Sequence, residues 1–433
     1  MLCFTAWRAF ALLCLTLLVP AALIAGGVID PPQRGAGSAR TVAGSLVLYW
    51  LLASVLLGVL ANYRVRRRQL IAGGLSLVLS VIAAEVALRI LSPRAAMMRA
   101  TTVQSPRFHH LYPPNRDMYA GRYDGKHVYV NTNEDGLRTR YSRADYLGHP
   151  TRIAILGDSF TFGLGVREAA TFPAVLEREL RISGDGDVAV LNTGIPSFSP
   201  FLEDLLYERV VRHYQPDLVL LVLDATDFGD DYRYAGEASE DRDGVLFDQS
   251  GHKNPPAYRG ALWQALNLGE LAAWPLDFAQ GLRPYRYYRF DITVDGVHES
   301  DRYFIYRHPL AKTRPYLDET MRNIERIAHA VERDGGRFVL VVSPRYHHWN
   351  QNECPRNWEG TYEVDEPFQF EYLKYFASRR AEAAFPMIDL LPAFQATEAF
   401  PLVFPNDPHW NEAGHRFVAA TLAAALERAG LLQ

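Results

Sequence analysis

The chain has 433 residues, 48% of them apolar, which excludes wholesale disorder and allows two or three domains of ordinary size. Its formal charge is −4, from 45 Lys+Arg against 49 Asp+Glu, but residues 1–100 hold ten Arg and two acids, a net of +8 that leaves −12 on residues 101–433. An acidic bulk argues against nucleic acid as a partner, because phosphate binding needs a basic face.

Residues 1–91 predict a membrane anchor. Ala9–Val28 is an uncharged run of 20 residues, Thr41–Asn62 is a second, and Gln69–Leu91 is a third, apolar apart from Glu85 and Arg89. Each is long enough to cross the hydrocarbon layer as a helix. Glu85 and Arg89 are one turn apart and pair near the end of their span. Between spans two and three stands Arg64-Val-Arg66-Arg67-Arg68, which the positive-inside tendency places in the cytoplasm. Span three then exits to the far side, so the expectation is a multi-pass protein of a bacterial inner membrane whose remaining residues face the periplasm or exterior. Reading the first run as a signal peptide leaves that conclusion unchanged. Cys3, Cys14 and Cys354 make neither a disulfide framework nor a zinc pattern.

Residues 92–150 read as a lead-in of short strands and turns, with His127–Val130 extended and a turn at Asn133-Glu-Asp-Gly136. From residue 151 strands and helices alternate. Strands are expected at Arg152–Leu156, Val188–Leu191, Asp217–Leu223, Arg337–Val342 and Met387–Leu390. Helices are expected at Phe172–Ile182, Phe201–Tyr214, 319–334, 366–384 and Glu412–Ala429. This alternation predicts an α/β, doubly wound, flavodoxin-like parallel sheet of five strands in a domain covering 151–433. Residues 228–318 break the rhythm as an insertion. Its acidic opening reads as a solvated loop, followed by a helix near Gly260–Ala279 and strands near Asp291 and Tyr303; Arg and Tyr interleave over 283–289.

Two motifs carry chemistry. Gly157-Asp158-Ser159-Phe160 follows the first strand, where a doubly wound sheet binds ligands, and a serine at such a turn exposes its hydroxyl near backbone N–H groups. Asp407-Pro408-His409-Trp410 precedes the last helix; Pro408 favours extended backbone, so Asp407 and His409 project to one side. A serine, a histidine that takes its proton and a carboxylate that orients the histidine make a nucleophilic triad. Asp158, Asp227, His347, His348 and Trp410 are candidates for the substrate pocket. No metal pattern and no dinucleotide fingerprint occur, so no cofactor is expected.

With these motifs in order, the chain resembles the SGNH/GDSL hydrolase superfamily over about 151–433, outside the insertion. The resemblance implies Ser159 as nucleophile, Asp407 and His409 as its partners, and an oxyanion hole from the Ser159 and Gly194 backbones. Asn192-Thr-Gly194 matches the glycine block. Asp224-Ala-Thr226-Asp227 departs from the family's Gly-x-Asn-Asp, with Thr226 at the asparagine position as the neutral donor. Asp-Pro-His-Trp-Asn and Asn133-Glu-Asp-Gly-Leu-Arg138 are similar to membrane-anchored bacterial members and to alginate O-acetyltransferase-like proteins. The implied activity is that of a membrane-anchored serine esterase acting on O-acyl groups of an extracytoplasmic glycan. The alternatives are an O-acyltransferase with the same triad, or a non-catalytic glycan-binding or assembly protein. Oligomeric state is not legible.

Overall fold

A computed structural model of the chain describes residues 79, 98–100, 102–183, 186–242, 244–247, 292–299, 302–345, 368–405 and 407–432. The chain divides into two compact units, Met1–Met98 with His252–Tyr287 and Arg99–Gly251 with Tyr288–Gln433; nearly all described residues belong to the second. The three apolar spans apart from Leu79, the 260–279 helix, the 283–289 stretch, His347, His348 and the three cysteines lie outside the described residues. Among the described residues, no helix is long and apolar enough to cross a membrane.

Five short apolar runs form the central sheet: β1 Thr151–Gly157, β2 Val188–Asn192, β3 Leu218–Leu223, β4 Arg337–Val342 and β5 Met387–Asp389. All pairings are parallel, and the order β5-β4-β3-β1-β2 is the flavodoxin order read from the opposite edge. The helices are α1 Ser159–Phe162, α2 Phe172–Ser183, α3 Pro200–Arg209, α4 Asp227–Glu237, α5 Leu310–Arg333, α6 Glu371–Arg379 and α7 Glu412–Arg428.

The strands are apolar throughout because both faces are covered. Ile153, Ile155, Leu220, Val222 and Val341 join a core with Val175 and Leu176 of α2 and Val418 and Leu422 of α7. Alternate residues Ala154, Leu156, Leu221, Leu223 and Val342 join the other, with Leu202 and Leu206 of α3 and Ile324 and Ile327 of α5. The strand order reverses between β1 and β3, so the crevice for ligands opens at the ends that carry Ser159 and Asp224.

Three expectations need correction. The acidic opening of the insertion is solvated only in its second half, where Glu237, Glu240 and Asp241 are exposed; its first half is α4, with Asp230 and Asp231 only 1% exposed. Each has donors that offset burial: Arg302 reaches Asp230 at 2.6 Å, and Asp231 accepts from the Phe201 N–H and Asn323 Nδ2, both at 2.8 Å. Tyr303 lies not in a strand but before a 3-10 turn, Phe304–Tyr306, which buries its side chains as a cluster. The expected 319–334 helix starts earlier, at Leu310, and continues through Pro315 at the loss of that residue's N–H bond. The remainder of the insertion that is described forms two hairpins, Ala238–Asp241 with Gly244–Phe247 and Ile292–Val294 with Val297–Glu299.

The lead-in belongs to the same compact unit as the sheet. Asp117–Tyr123 pairs antiparallel with Lys126–Asn131. Asn133 then folds its turn tightly: its Oδ1 accepts from the N–H groups of Asp135 and Leu137, at 3.0 and 3.1 Å. That turn delivers Arg138 to the end of α1.

Candidate active site

The turn after β1 is built to hold one serine. Gly157 has φ of 152°, and a Cβ there would lie 2.2 Å from the Thr161 hydroxyl, so only glycine fits. Asp158 caps α1, its Oδ1 accepting from the Phe160 N–H at 2.8 Å. At the other end Arg138, 1% exposed, donates to the Phe162 and Gly163 carbonyls through Nη1 at 2.8 and 2.7 Å and to the Val166 carbonyl through Nη2 at 2.7 Å. These carbonyls follow a four-residue helix that cannot satisfy them itself. Gly194 closes the turn from β2, where a Cβ would stand 2.3 Å from the Phe162 nitrogen.

The second motif meets the first. Asp407–Trp410 is a short strand against Val403–Phe404, so Asp407 and His409 project together. His409 Nδ1 bonds to Asp407 Oδ1, and His409 Nε2 lies 2.8 Å from Ser159 Oγ. The carboxylate only accepts, so Nδ1 carries the hydrogen and Nε2 is left to accept from Ser159. Burial alone would raise the Asp407 pKa and lower that of His409. The facing charges and shared hydrogen bond outweigh it, holding Asp407 below and His409 above its ordinary value. Asn411 caps α7: its Oδ1 accepts from the Ala413 and Gly414 N–H groups at 2.8 and 3.0 Å.

Trp410 does not line a pocket. It is 1% exposed, with its ring among those of Phe160 (4.8 Å between centroids), Phe172 and Phe394, and it forms the apolar floor beneath the pair. Extended geometry sends alternate residues to opposite sides, so Trp410 points away from the side that His409 presents to Ser159.

The donors expected for an oxyanion are partly occupied. The Gly194 N–H donates to Asn192 Oδ1 at 3.0 Å. The Thr226 hydroxyl and N–H both donate to Asp224 Oδ1, each at 2.6 Å. Asp224 also binds the buried Arg345 guanidinium, which comes from the loop after β4 and lies 5.2 Å from the Phe160 ring centroid. Asp224 and Arg345 escaped the sequence reading. The signal available was position: both follow neighbouring parallel strands, and a buried acid there needs a counter-charge. Asp227 is likewise buried rather than open to a substrate, its Oδ2 accepting from the Asp224 N–H at 2.8 Å. Among the described residues, Asp158, Asp224 and Asp227 bring carboxylate oxygens within 4.8 Å of one another, the spacing of metal ligands, although Arg345 already occupies one of them.

Residues 302–433 match the family profile described as SGNH hydrolase-like domain, acetyltransferase AlgX. Among curated proteins none matches the chain. Of solved structures, a lipase/acylhydrolase from Enterococcus faecalis is similar at 14% identity and a TM-score of 0.36, over 64% of this chain and 96% of that one. The acetylxylan esterase Axe2 from Geobacillus stearothermophilus, a catalytic mutant, is similar at 14% identity and a TM-score of 0.34, over 64% and 94%. Residues 302–433 are thus similar to the SGNH hydrolase-like domain of AlgX type, and the parallel five-stranded sheet is consistent with that fold.

Proposed function

We propose that this protein is a membrane-anchored serine esterase that removes O-acyl groups from a glycan outside the cytoplasm. The observation that carries the chemistry is the 2.8 Å approach of His409 Nε2 to Ser159 Oγ, with Asp407 behind the imidazole. His409 takes the Ser159 proton as Oγ attacks the ester carbon. The tetrahedral adduct collapses as His409 returns that proton to the departing sugar oxygen, leaving an acyl group on Ser159. A water deprotonated by His409 then releases the acid and restores the serine. We assign the oxyanion to the backbone N–H groups of Ser159 and Gly194, the latter sharing its bond with Asn192 during turnover.

The anchor rests on the three apolar runs and the Arg64–Arg68 cluster. A phosphatase fused after residue 100 should be active in a bacterial host; activity of a cytoplasmic reporter there instead would reverse the orientation.

The matched profile is described as an acetyltransferase, which favours a second reading in which a sugar hydroxyl replaces water in the last step. Both share the acyl-enzyme. Full-length protein in detergent, given p-nitrophenyl acetate with and without an acceptor glycan, separates them. Esterase action releases acetate at the same rate in both, whereas transfer diverts acetyl groups to the glycan. Absence of any turnover would leave a binding protein.

A further inference from the structure

The Ser159 hydroxyl has two neighbours and one hydrogen. Its Oγ lies 2.8 Å from His409 Nε2 and 3.2 Å from Asp158 Oδ2. Attack on an ester requires the hydrogen on the His409 side. An ionised carboxylate only accepts hydrogen bonds, so an ionised Asp158 competes with His409 for that hydrogen. A protonated Asp158 does the reverse: it donates from Oδ2 to a lone pair of Oγ and leaves the serine hydrogen to Nε2. We propose that Asp158 is a positioning residue that holds a proton in the active enzyme and thereby turns the Ser159 hydroxyl toward His409. The proposal rests on the triad reading above and deepens it.

The surroundings of Asp158 support that state by simple charge counting. Asp158, Asp224 and Asp227 offer oxygens within 4.8 Å of one another, and all three are less than 5% exposed. Glu203 of α3, also buried with neither carboxylate oxygen hydrogen-bonded, is itself held toward its neutral form by burial and by the neighbouring Asp158 and Asp231. Against these acids stand Arg345, and His409 when it is protonated. Asp224 claims the guanidinium and the two Thr226 donors, so it is the member that stays ionised. Asp227 has one oxygen on the Asp224 N–H and the other without a partner. Asp158 has Oδ1 on the Phe160 N–H and Oδ2 on the serine. A second and third negative charge in this volume would be unpaired and buried, which is strongly unfavourable. The cheaper arrangement keeps Asp158 and Asp227 neutral.

Titration gives the sign. Burial and the neighbouring Asp224 push the Asp158 pKa up to about 7, more than the Phe160 N–H, Arg345 and His409 pull it down. Asp158 therefore holds its proton below that range and loses it above. His409 must be neutral to act as base, and its raised pKa puts that requirement above its ordinary value. Activity is expected to be bell-shaped, with an acid limb and an alkaline limb that belong to the coupled pair.

The test is kcat/KM for p-nitrophenyl acetate, and the rate of labelling by a fluorophosphonate probe, from pH 5 to 9 on the full-length protein in detergent. Asp158→Asn keeps an acceptor for Phe160 and fixes a donor toward Ser159. Its activity relative to wild type should rise at least tenfold between pH 6 and pH 9, because its alkaline limb is gone. Should the variant not fold, the wild-type labelling rate decides alone: it should fall at least tenfold from its maximum by pH 9, and a plateau would overturn the proposal. A folded Asp158→Asn enzyme that is a hundred-fold or more impaired at every pH would also overturn it, showing that the charge is needed. So would loss of wild-type activity in EDTA with recovery on adding a divalent ion, which would make the three carboxylates a cation site. A wild-type protein that the probe never labels sinks the triad reading itself; labelling with a dead Asp158→Asn sinks only this step.

Discussion

The ends of β1 and β3 face each other across the same crevice but are fixed by different physics. After β1 the backbone does the work: a glycine at φ 152°, a capped four-residue helix and the Arg138 guanidinium on three carbonyls leave Ser159 one position. After β3 the geometry is set by buried charge, with Asp224 held between Arg345 and Thr226 and Asp227 folded against it. The backbone of the first arrangement is held through neutral backbone groups and by contacts within 28 residues in sequence, with Asp158 as its one titrating member. The second joins residues 121 apart and depends on which carboxyls hold protons.

That contrast can be broken from either side, or at the pair that bridges the crevice. Asp407→Asn should have the largest effect on turnover, a loss of about a thousand- to ten-thousand-fold, because His409 loses the partner that fixes its tautomer. The residual activity should have its acid limb moved to lower pH, since Asp407 is what holds the His409 pKa up. An unmoved limb would show that some other group raises it. Arg345→Met should then destabilise the fold by about 3–5 kcal/mol above pH 7, since it strands the Asp224 carboxylate. Chemical denaturation at pH 5 and 8 checks this: the loss should shrink at the lower pH, where Asp224 can take up a proton once its guanidinium is gone.

Arg138→Met should cost about 3 kcal/mol at either pH, because it orphans neutral carbonyls rather than a charge. A marked pH dependence there would erase the distinction between the two strand ends. Thr226→Val should have the smallest effect, less than about tenfold in kcat, because its hydroxyl is committed to Asp224. A hundred-fold fall with the fold intact would instead make Thr226 the oxyanion donor that its place in the motif suggests.

The two strand ends also differ in what could be read from the residues alone. Unbroken apolar runs located all five strands to within a residue, because a strand covered on both faces has no other composition available. Gly157-Asp-Ser159 and Asp407-Pro-His409 were legible for the same reason: turn, cap and extended geometry are short-range. The acids of α4 mislead, because Asp230 and Asp231 look solvated until their partners are known. Those partners are Phe201, Arg302 and Asn323, all distant in sequence. Arg138 stands in a legible motif, but its bonds to the end of α1 are not legible, since nothing local to residue 138 points at Phe162.

The central claim is that Ser159 is the acylated nucleophile. Intact-mass measurement after incubation with a fluorophosphonate probe tests it most directly, on full-length wild type, Ser159→Ala and His409→Ala. Wild type should gain one adduct, mapped to the peptide carrying Ser159, while Ser159→Ala gains none and His409→Ala reacts at least a hundred-fold more slowly. An adduct of equal yield on Ser159→Ala would contradict the account.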